Sequence, residues 1–132
     1  MGAGLVEEAT RRSGVVWVLP AGGRPQPVWH LWHAGAAHLV TGGREQPIEG
    51  VGDGDRVLVV VRSKDRQADR VVQWWADVQR LQPGTPAWEE IVPLLHARRL
   101  NAPDGEGQPQ RWARESTILS LVPDGTEQPV DR

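Results

Sequence analysis

One segment, VWHLWHAGAAHLVT (residues 28–41), constrains the fold more than any other part of this 132-residue chain. Two runs of strand-forming residues flank the pair Ala34-Gly35, which is a turn signal. The segment therefore predicts a β-hairpin with its tip at this pair. The predicted cross-strand pairs are His33 with Ala36, Trp32 with Ala37, Leu31 with His38 and His30 with Leu39.

The hairpin carries three histidines, a residue type that often binds metals. Because side chains alternate between the two faces of a strand, His30 lies on one face, while His33 and His38 lie on the other. Only His33 and His38 approach each other, and they do so diagonally. A zinc site needs at least one further ligand from elsewhere in the chain. The pattern therefore favours structural histidines over a metal site.

The composition limits the available chemistry and the classes of partner. The chain has seven tryptophans but no cysteine, tyrosine or phenylalanine. Thiol catalysis, disulfides, iron–sulfur clusters and cysteine-based zinc sites are therefore excluded, and tyrosine cannot act as an acid or base. The net charge is -2, with 15 basic and 17 acidic residues spread along the chain. This balance predicts no nucleic-acid partner. No segment has the layout of a membrane span or a secretory signal, so we expect a cytoplasmic protein without a membrane partner.

Turn residues and apolar runs divide the rest of the chain into strands, helices and loops. The predicted strands outside the hairpin are 15–20, 56–62, 70–81 and 116–122. The predicted helices are 5–12 and one that Thr85 caps and Pro86 begins. The predicted loops are 42–55 and 101–110, with a mobile tail at 124–132. Within the second helix, Pro93 predicts a kink or a split, since proline has no backbone donor.

Two strands predict how the sheet is covered. In the strand 70–81, Trp74 alternates with Trp75, so we expect Trp74 in the core and Trp75 on the opposite, mixed face. The run RVLVVVR (56–62) is apolar on both faces, and one helix can hardly cover its outer side. This pattern predicts a homodimer, with Trp75 at the interface.

Three motifs in this order resemble those of the pyridoxamine 5'-phosphate oxidase-like flavin-binding split barrels. They are Gly23-Arg24-Pro25, Pro27-Val28-Trp29 and Leu39-Val40-Thr41-Gly42. The resemblance covers about residues 12–123. It implies a single domain over 1–132 that is mainly β with flanking helices, built as a six-stranded antiparallel split β-barrel. Members of this family are typically homodimers that bind FMN or the deazaflavin F420 between subunits. Some relatives bind heme, and others have no established ligand.

The chain departs from the family where the cofactor phosphate is expected. Flavin-binding relatives usually have several basic residues and a short helix after the third strand. Here the sequence reads Arg44-Glu45-Gln46-Pro47, so one arginine stands beside a carboxylate that opposes an anion. Pro47 and the nearby glycines argue against a helix. The phosphate site is therefore expected to be weakened or moved.

A second group of basic residues could replace that site. Arg98, Arg99, Arg111 and Arg114 lie near Asn101 and Trp112 in sequence, and guanidinium groups beside an indole suit an anionic, planar ligand. The favoured alternative is that these arginines pair with Asp104, Glu106 and Glu115 and fix the segment over the barrel. The cofactor contacts implied by the resemblance and this group are Trp29, His30, Thr41, Arg44, Arg99, Arg111 and Trp112.

Three functional hypotheses remain open from the sequence. The first is an oxidoreductase of the flavin type, with FMN or F420, in which the cofactor does the hydride chemistry and no catalytic side chain is assigned. The second, equally compatible with the sequence, is a non-catalytic dimer of the same fold without a cofactor. The third is heme binding through His30 or His38. No metal ligand set and no substrate are predicted.

Overall fold

The computed structural model describes residues 2–64, 69–99 and 107–131. Three helices and seven strands occur within these ranges. In chain order they are α1 (Gly2–Arg12), β1 (Val15–Leu19), β2 (Gln26–Trp29), β3 (Leu31–His33), β4 (Ala36–Thr41), β5 (Arg56–Lys64), β6 (Asp69–Leu81), α2 (Pro86–Arg98), α3 (Gln108–Glu115) and β7 (Thr117–Asp131).

The strands form one antiparallel sheet with the order β2-β1-β5-β6-β7-β4-β3. Its two edge strands, β2 and β3, are separated in the chain by a single residue, His30. This short connection brings the two edges together. The sheet therefore curls into a nearly closed barrel with a split between its edges.

The interior of the barrel is apolar, and α1 packs against it. Val6 and Ala9 of α1 are buried among the inward residues of the strands. Trp74 is 1% exposed. Its indole N–H donates to Thr10 Oγ1 at 3.1 Å, and Trp32 packs edge-on against its ring. This placement confirms the prediction that Trp74 lies in the core.

Trp75 points to the outer side of the sheet, as predicted. It is partly exposed, and the guanidinium of Arg56 lies 4.3 Å from the centre of its ring. Across β5, Leu58 is its cross-strand partner. The alternation along β6 continues past this point, since Ala76 and Val78 are buried, although the pairing with β7 has a bulge between Trp74 and Ala76.

The helices α2 and α3 form a second apolar cluster outside the barrel. They cover the outer side of β4 and the start of β7, where Val40 and Ile118 are paired. The buried members of this cluster are Val40, Trp88, Ile91, Val92, Leu95, Trp112 and Ile118. Trp29 and Leu31 pack against its edge.

The predicted hairpin is confirmed, with one correction at its start. The pairs of His33 with Ala36, Trp32 with Ala37 and Leu31 with His38 occur as predicted, and the rings of His33 and His38 lie 6.3 Å apart. The fourth pair, between His30 and Leu39, is absent from the ladder. The chain changes partner at His30, because β2 pairs with β1 whereas β3 pairs with β4. The six predicted strands thereby become seven.

The second helix begins as predicted but is not split. Thr85 Oγ1 accepts a hydrogen bond from the backbone N–H of Trp88, and Pro86 is at the first turn. Pro93 lies inside the helix, which continues to Arg98 without interruption. Both Pro93 and Leu94 are exposed. The carbonyl that loses its helical donor is therefore on the solvent side, where water can replace the missing bond.

The C-terminal half of the prediction needs two further corrections. Residues 108–110 were expected in a loop, but they begin the helix α3, in which proline occupies an early position that needs no donor. Residues 124–131 were expected to be mobile, but the strand β7 continues to Asp131 and pairs with Arg70 to Trp74 of β6. The long strand β6 has backbone groups on this side that require a partner, and the chain's own C-terminus provides it.

Candidate functional site

The most buried charged group of the described chain is the carboxylate of Glu45. It lies in the turn after β4, where Gly42 and Gly43 adopt positive φ angles of 85° and 63°, and its N–H bonds to the Gly42 carbonyl at 3.0 Å. This turn directs the side chain inward, so that none of it is exposed. Arg99 Nε lies 2.9 Å from Oε1, and Arg111 Nη2 lies 3.1 Å from Oε2. The two arginines therefore occupy the two oxygens of one carboxylate.

The surroundings of Glu45 keep it ionised. Burial raises the pKa of its carboxyl, but the nearby Trp112 indole N–H, the Arg99 guanidinium and the Arg111 guanidinium together lower it more. The indole N–H contributes although its geometry is outside the range of a regular hydrogen bond. The net pKa is below the ordinary value of a glutamate. Glu45 is therefore an anion at neutral pH.

This cluster bears on the two interpretations of the arginine-rich segment. Arg99, Arg111 and Trp112 do come together, but they surround a carboxylate of the protein itself. The interpretation as structural ion pairs is therefore favoured, with Glu45 as one of the partners. Asp104, Glu106 and Asn101 lie outside the described residues. The side chains of Arg98, Arg114 and Glu115 are exposed.

A second polar arrangement bridges the split of the barrel. The side-chain amide of Gln46 accepts from the backbone N–H of Trp29 at 2.8 Å and donates to its carbonyl at 2.9 Å. The same amide nitrogen lies 3.3 Å from the carbonyl of Val40 on β4. Thr41 Oγ1 donates to the backbone carbonyl of Gln46 at 2.7 Å and holds this residue in place. Gln46 thus connects the edge strand β2 with β4.

An open cleft of about 930 Å³ adjoins this bridge. We call it the β1–β2 cleft, because the turn between these strands forms one wall. Gln46 is part of the opposite wall, and Arg24 lies at the turn. Its lining residues are Pro20, Ala21, Gly22, Gly23, Arg24, Pro25, Gln26, Pro27, Gln46, Pro47, Glu49 and Gly50. Its volume is in the range of small-molecule and cofactor sites.

The predicted contact residues are thus distributed over three environments. Trp29 and Thr41 lie at the Gln46 bridge, and Arg44 is exposed in the same turn. Arg99, Arg111 and Trp112 belong to the Glu45 cluster. The sequence did not single out Gln46 or Glu45 as contact residues, since a lone carboxamide or carboxylate in a glycine-rich segment carries no spacing signal. Arg24 belongs to one of the three family-like motifs, Gly23-Arg24-Pro25, and this motif could have indicated Arg24 as a contact residue.

The third environment is that of His30, which has no exposed surface. Its Nε2 lies 2.8 Å from the carbonyl of Ser13, and its Nδ1 has no hydrogen-bond partner among the described residues. Burial lowers the pKa of His30 to about 4, more than the Ser13 hydrogen bond raises it. The ring is therefore neutral, with its proton on the nitrogen that faces Ser13 and a free lone pair on the other.

Comparisons with known proteins give a fold but no close relative. No protein-family model and no curated protein matches the chain. Among solved structures, a putative pyridoxamine 5'-phosphate oxidase from Listeria innocua is similar with a TM-score of 0.67 and 10% identity, over 98% of each chain. A FAD-binding protein from Mesorhizobium loti is similar with a TM-score of 0.67 and 11% identity, over 98% of this chain and 92% of that one. HutZ, the heme storage protein from Vibrio cholerae, is similar with a TM-score of 0.62 and 10% identity, over 95% and 92%.

The chain has the split-barrel fold. This confirms the fold that the sequence resemblance implied, while the low identities leave the cofactor to be argued from the residues. Within residues 2–64, 69–99 and 107–131, no three side chains of metal-binding type come close enough to hold an ion. Within the same described ranges, no helix is long and apolar enough to cross a membrane.

Proposed function

We propose that the protein is a cytoplasmic, homodimeric split-barrel oxidoreductase that binds a flavin-type cofactor, FMN or F420, in the β1–β2 cleft. The observation that carries this proposal is the position of Gln46, between the cleft and the free edge of β2. The similar fold of FAD-binding and pyridoxamine 5'-phosphate oxidase-like structures supports it. When bound, the ring system would supply the hydride chemistry.

The backbone of Trp29 suits the polar edge of such a ring. It offers one N–H donor and one C=O acceptor side by side, and the carboxamide of Gln46 matches both. The pyrimidine edge of a flavin has the same neighbouring acceptor and donor, as C=O and N–H. A ring in the cleft can therefore take over these two hydrogen bonds when Gln46 moves aside. The half-buried indole of Trp29 packs against the edge of the α2–α3 cluster, so only the backbone of this residue is offered to the ring.

Two arginines are suited to the phosphate of the cofactor. Arg24 lines the cleft, and Arg44 is exposed two residues before Gln46. Arg99 and Arg111 are less suited, since both bind the Glu45 carboxylate and an additional anion there would be repelled by it. Two exposed arginines hold a phosphate only weakly. We therefore expect a cofactor that dissociates during purification.

The dimer is supported by the outer face of the sheet. Trp17 is 43% exposed and Val15 is 50% exposed. Both lie on β1, which belongs to the part of the sheet that α2 and α3 do not cover. Their outward neighbours are also apolar, which makes one contiguous patch. We call it the outer face, and it consists of Val15, Trp17, Pro27, Leu58, Val60 and Trp75. A monomer rarely exposes a patch of this kind to water, whereas a second copy of the chain would cover it.

The test is a titration of FMN and of F420 into the purified protein, followed by the quenching of cofactor fluorescence. Wild type should bind at least one of the two weakly. Gln46→Ala should bind the same cofactor about tenfold more tightly, because the ring no longer displaces two internal hydrogen bonds. Arg24→Ala and Arg44→Ala should each bind it more weakly, and the affinity should fall with added salt.

Arg12→Ala is the matched control, since Arg12 is an exposed arginine on α1 whose partner is Glu8. It should leave the affinity unchanged. The proposal is wrong if folded Gln46→Ala binds neither FMN nor F420, or if binding is insensitive to Gln46 and to both arginines. Tight stoichiometric retention of FMN that survives Arg24→Ala and Arg44→Ala would contradict the phosphate site alone.

Heme is the second candidate, and one observation favours it. The unpartnered Nδ1 of His30 is a neutral imidazole nitrogen, the form that binds heme iron. However, His30 is fully enclosed, so iron can reach this nitrogen only after the split opens. His38 is less suited, because both of its ring nitrogens are hydrogen-bonded. The absorbance spectrum of the freshly purified protein separates heme from flavin, and a colourless protein that binds neither supports the non-catalytic alternative.

A further inference from the structure

Three polar side chains form a row across neighbouring strands, on the side of the barrel that faces α2. His38 on β4 is the cross-strand partner of Ser120 on β7, and Ser120 is the partner of Gln79 on β6. Cross-strand partners project to the same side of a sheet. The row therefore places an imidazole on one side of the Ser120 hydroxyl and a carboxamide on the other.

The hydrogen bonds of His38 fix which nitrogen carries the proton. Nε2 lies 2.9 Å from the carbonyl of His33, which can only accept. The proton is therefore on Nε2, and Nδ1 accepts from the Ser120 hydroxyl at 2.8 Å. Burial lowers the pKa of His38, more than the His33 hydrogen bond raises it, which keeps the ring neutral. A hydroxyl that donates to a neutral imidazole, which is itself oriented by a second acceptor, is the arrangement of an activated nucleophile.

The Ser120 hydroxyl also has space in front of it. A cavity of about 270 Å³ lies between the row and α2. His38, Ser120 and Gln79 all line it, together with the turn at Ala34-Gly35 and with Ile91 of α2. At one side, His33 Nε2 bonds to Glu90 Oε2 at 2.8 Å and links the hairpin to the helix. A cavity of this size admits a small acyl group.

We propose that Ser120 is a nucleophile for small activated acyl or phosphonyl groups, with His38 as its general base. With an ester, the Ser120 Oγ–carbon bond forms, the carbon–oxygen bond to the leaving group breaks, and the hydroxyl proton passes to His38 Nδ1. His38 then gives this proton to the departing oxygen. Water releases the acyl group from Ser120 in a second step, with His38 again as the base.

The carboxamide of Gln79 completes the row. It is exposed and makes no hydrogen bond to another described residue. Side-chain amides stabilise the negative oxygen that develops when a carbonyl or phosphonyl centre is attacked. Gln79 is the cross-strand neighbour of Ser120 on the side away from His38. The N–H groups of Gln79 can therefore reach an oxygen of a group that is bound next to Ser120. This role requires a rotation of the Gln79 side chain, which its exposure permits.

The experiment is labelling of the full chain with a short alkyl fluorophosphonate, followed by intact mass and peptide mapping. The Ser120 Oγ–phosphorus bond forms as the phosphorus–fluorine bond breaks, so one adduct per chain is expected at Ser120. Ser120→Ala should give no adduct. His38→Gln should slow labelling at least about a hundredfold, since general-base catalysis contributes that much. Gln79→Ala should slow it by a smaller factor.

Ser116→Ala is the matched control, because Ser116 immediately precedes the same strand but bonds to the Gly42 carbonyl, outside the cavity. It should label like wild type. Near-ultraviolet circular dichroism of the tryptophans checks that every variant is folded. No adduct on folded wild type, an adduct at another residue, or equal rates for wild type and His38→Gln would each overturn the proposal. None of these results depends on a flavin, so this test is independent of the cofactor titration.

Discussion

His30 is the residue at which the two edge strands of the barrel meet, and its burial costs free energy of folding. It separates β2 from β3, has no exposed surface, and has one ring nitrogen that bonds to none of the described residues. A charged imidazole is poorly tolerated in such surroundings. The single bond to the Ser13 carbonyl fixes it to the segment that follows α1. Protonation of His30 is therefore opposed by its burial, although the bond to the Ser13 carbonyl favours the charged ring.

We predict that His30 makes the protein acid-sensitive in a defined pH window. Its pKa is about 4 in the folded protein and 6.5 ordinarily, so the unfolded chain binds this proton first as the pH falls. Stability is therefore full above pH 6.5 and decreases between pH 6.5 and 4, by about 3 kcal/mol. Urea unfolding at pH 7.5, 5.5 and 4.5 measures this loss.

The variant His30→Gln separates this effect from other groups. It should be less stable than wild type at pH 7.5 but should lose less stability between pH 6.5 and 4. The pH dependence that remains in this variant belongs to other groups. One is His38, since burial also lowers its pKa. Another, below about pH 4.5, is Glu45, since its surroundings favour the ionised carboxylate and lower its pKa. A slope in His30→Gln equal to that of wild type would contradict the assignment.

The site around Glu45 could be predicted from the sequence only in part. The three arginine-segment residues Arg99, Arg111 and Trp112 could be grouped in advance, because they are close in the chain. Their partner is more than 50 positions away from Arg99, and only the turn at Gly42-Gly43 directs it inward. Glu45 was noted as a charge that opposes an anion beside Arg44. Its actual role as the buried anion of the cluster depends on this turn geometry, for which the sequence has no signal.

At the scale of elements, α2 contains a proline that the fold accepts at a cost. Pro93 lacks the donor for the Glu89 carbonyl and its ring crowds the same turn. The helix persists because Trp88, Ile91, Val92 and Leu95 bury its other side. We predict that Pro93→Ala stabilises the protein by about 1–3 kcal/mol, since alanine favours the helix interior. Thermal unfolding measures this gain.

Pro86 provides a control within the same helix. It is at the first turn, where the missing donor has no partner to lose and the fixed φ angle favours the helix. Pro86→Ala should therefore leave the melting temperature unchanged or lower it slightly. Equal stabilisation by both substitutions would contradict this account, because replacing either proline increases the entropy of the unfolded chain and only Pro93→Ala restores a bond in the helix interior.

The elements that were predicted correctly are those specified by local patterns. The hairpin register follows from alternation around Ala34-Gly35, and the start of α2 follows from Thr85-Pro86. The errors occur where a distant partner decides. The segment 124–131 contains glycine and proline and has little apolar character, yet it becomes a strand because β6 offers it an edge. The break at His30 likewise depends on which strand each half pairs with.

For the whole molecule, the two sides of the barrel differ in how they are covered. The helices α2 and α3 cover β4 and the start of β7, whereas none of the described helices lies over the outer face on β1, β2, β5 and β6. At its edge, Arg56 stacks on Trp75. Aromatic side chains and arginine of this kind are enriched at protein–protein interfaces. The β1–β2 cleft adjoins this face at Pro27, so a second copy would border the proposed cofactor site.

We predict that Trp17→Glu converts a dimer into a monomer. Trp17 is the large exposed residue near the centre of the outer face, beside Val60 and Pro27. A carboxylate there would be desolvated and unpaired in the dimer, which costs several kcal/mol of association free energy. Light scattering at micromolar concentration should give the mass of two chains for wild type and of one chain for Trp17→Glu. Leu94→Glu is the control, because Leu94 is 39% exposed on α2, away from this face, and its variant should remain a dimer. A monomeric wild type, or equal dimer masses for both variants, would show that the outer face is not the interface.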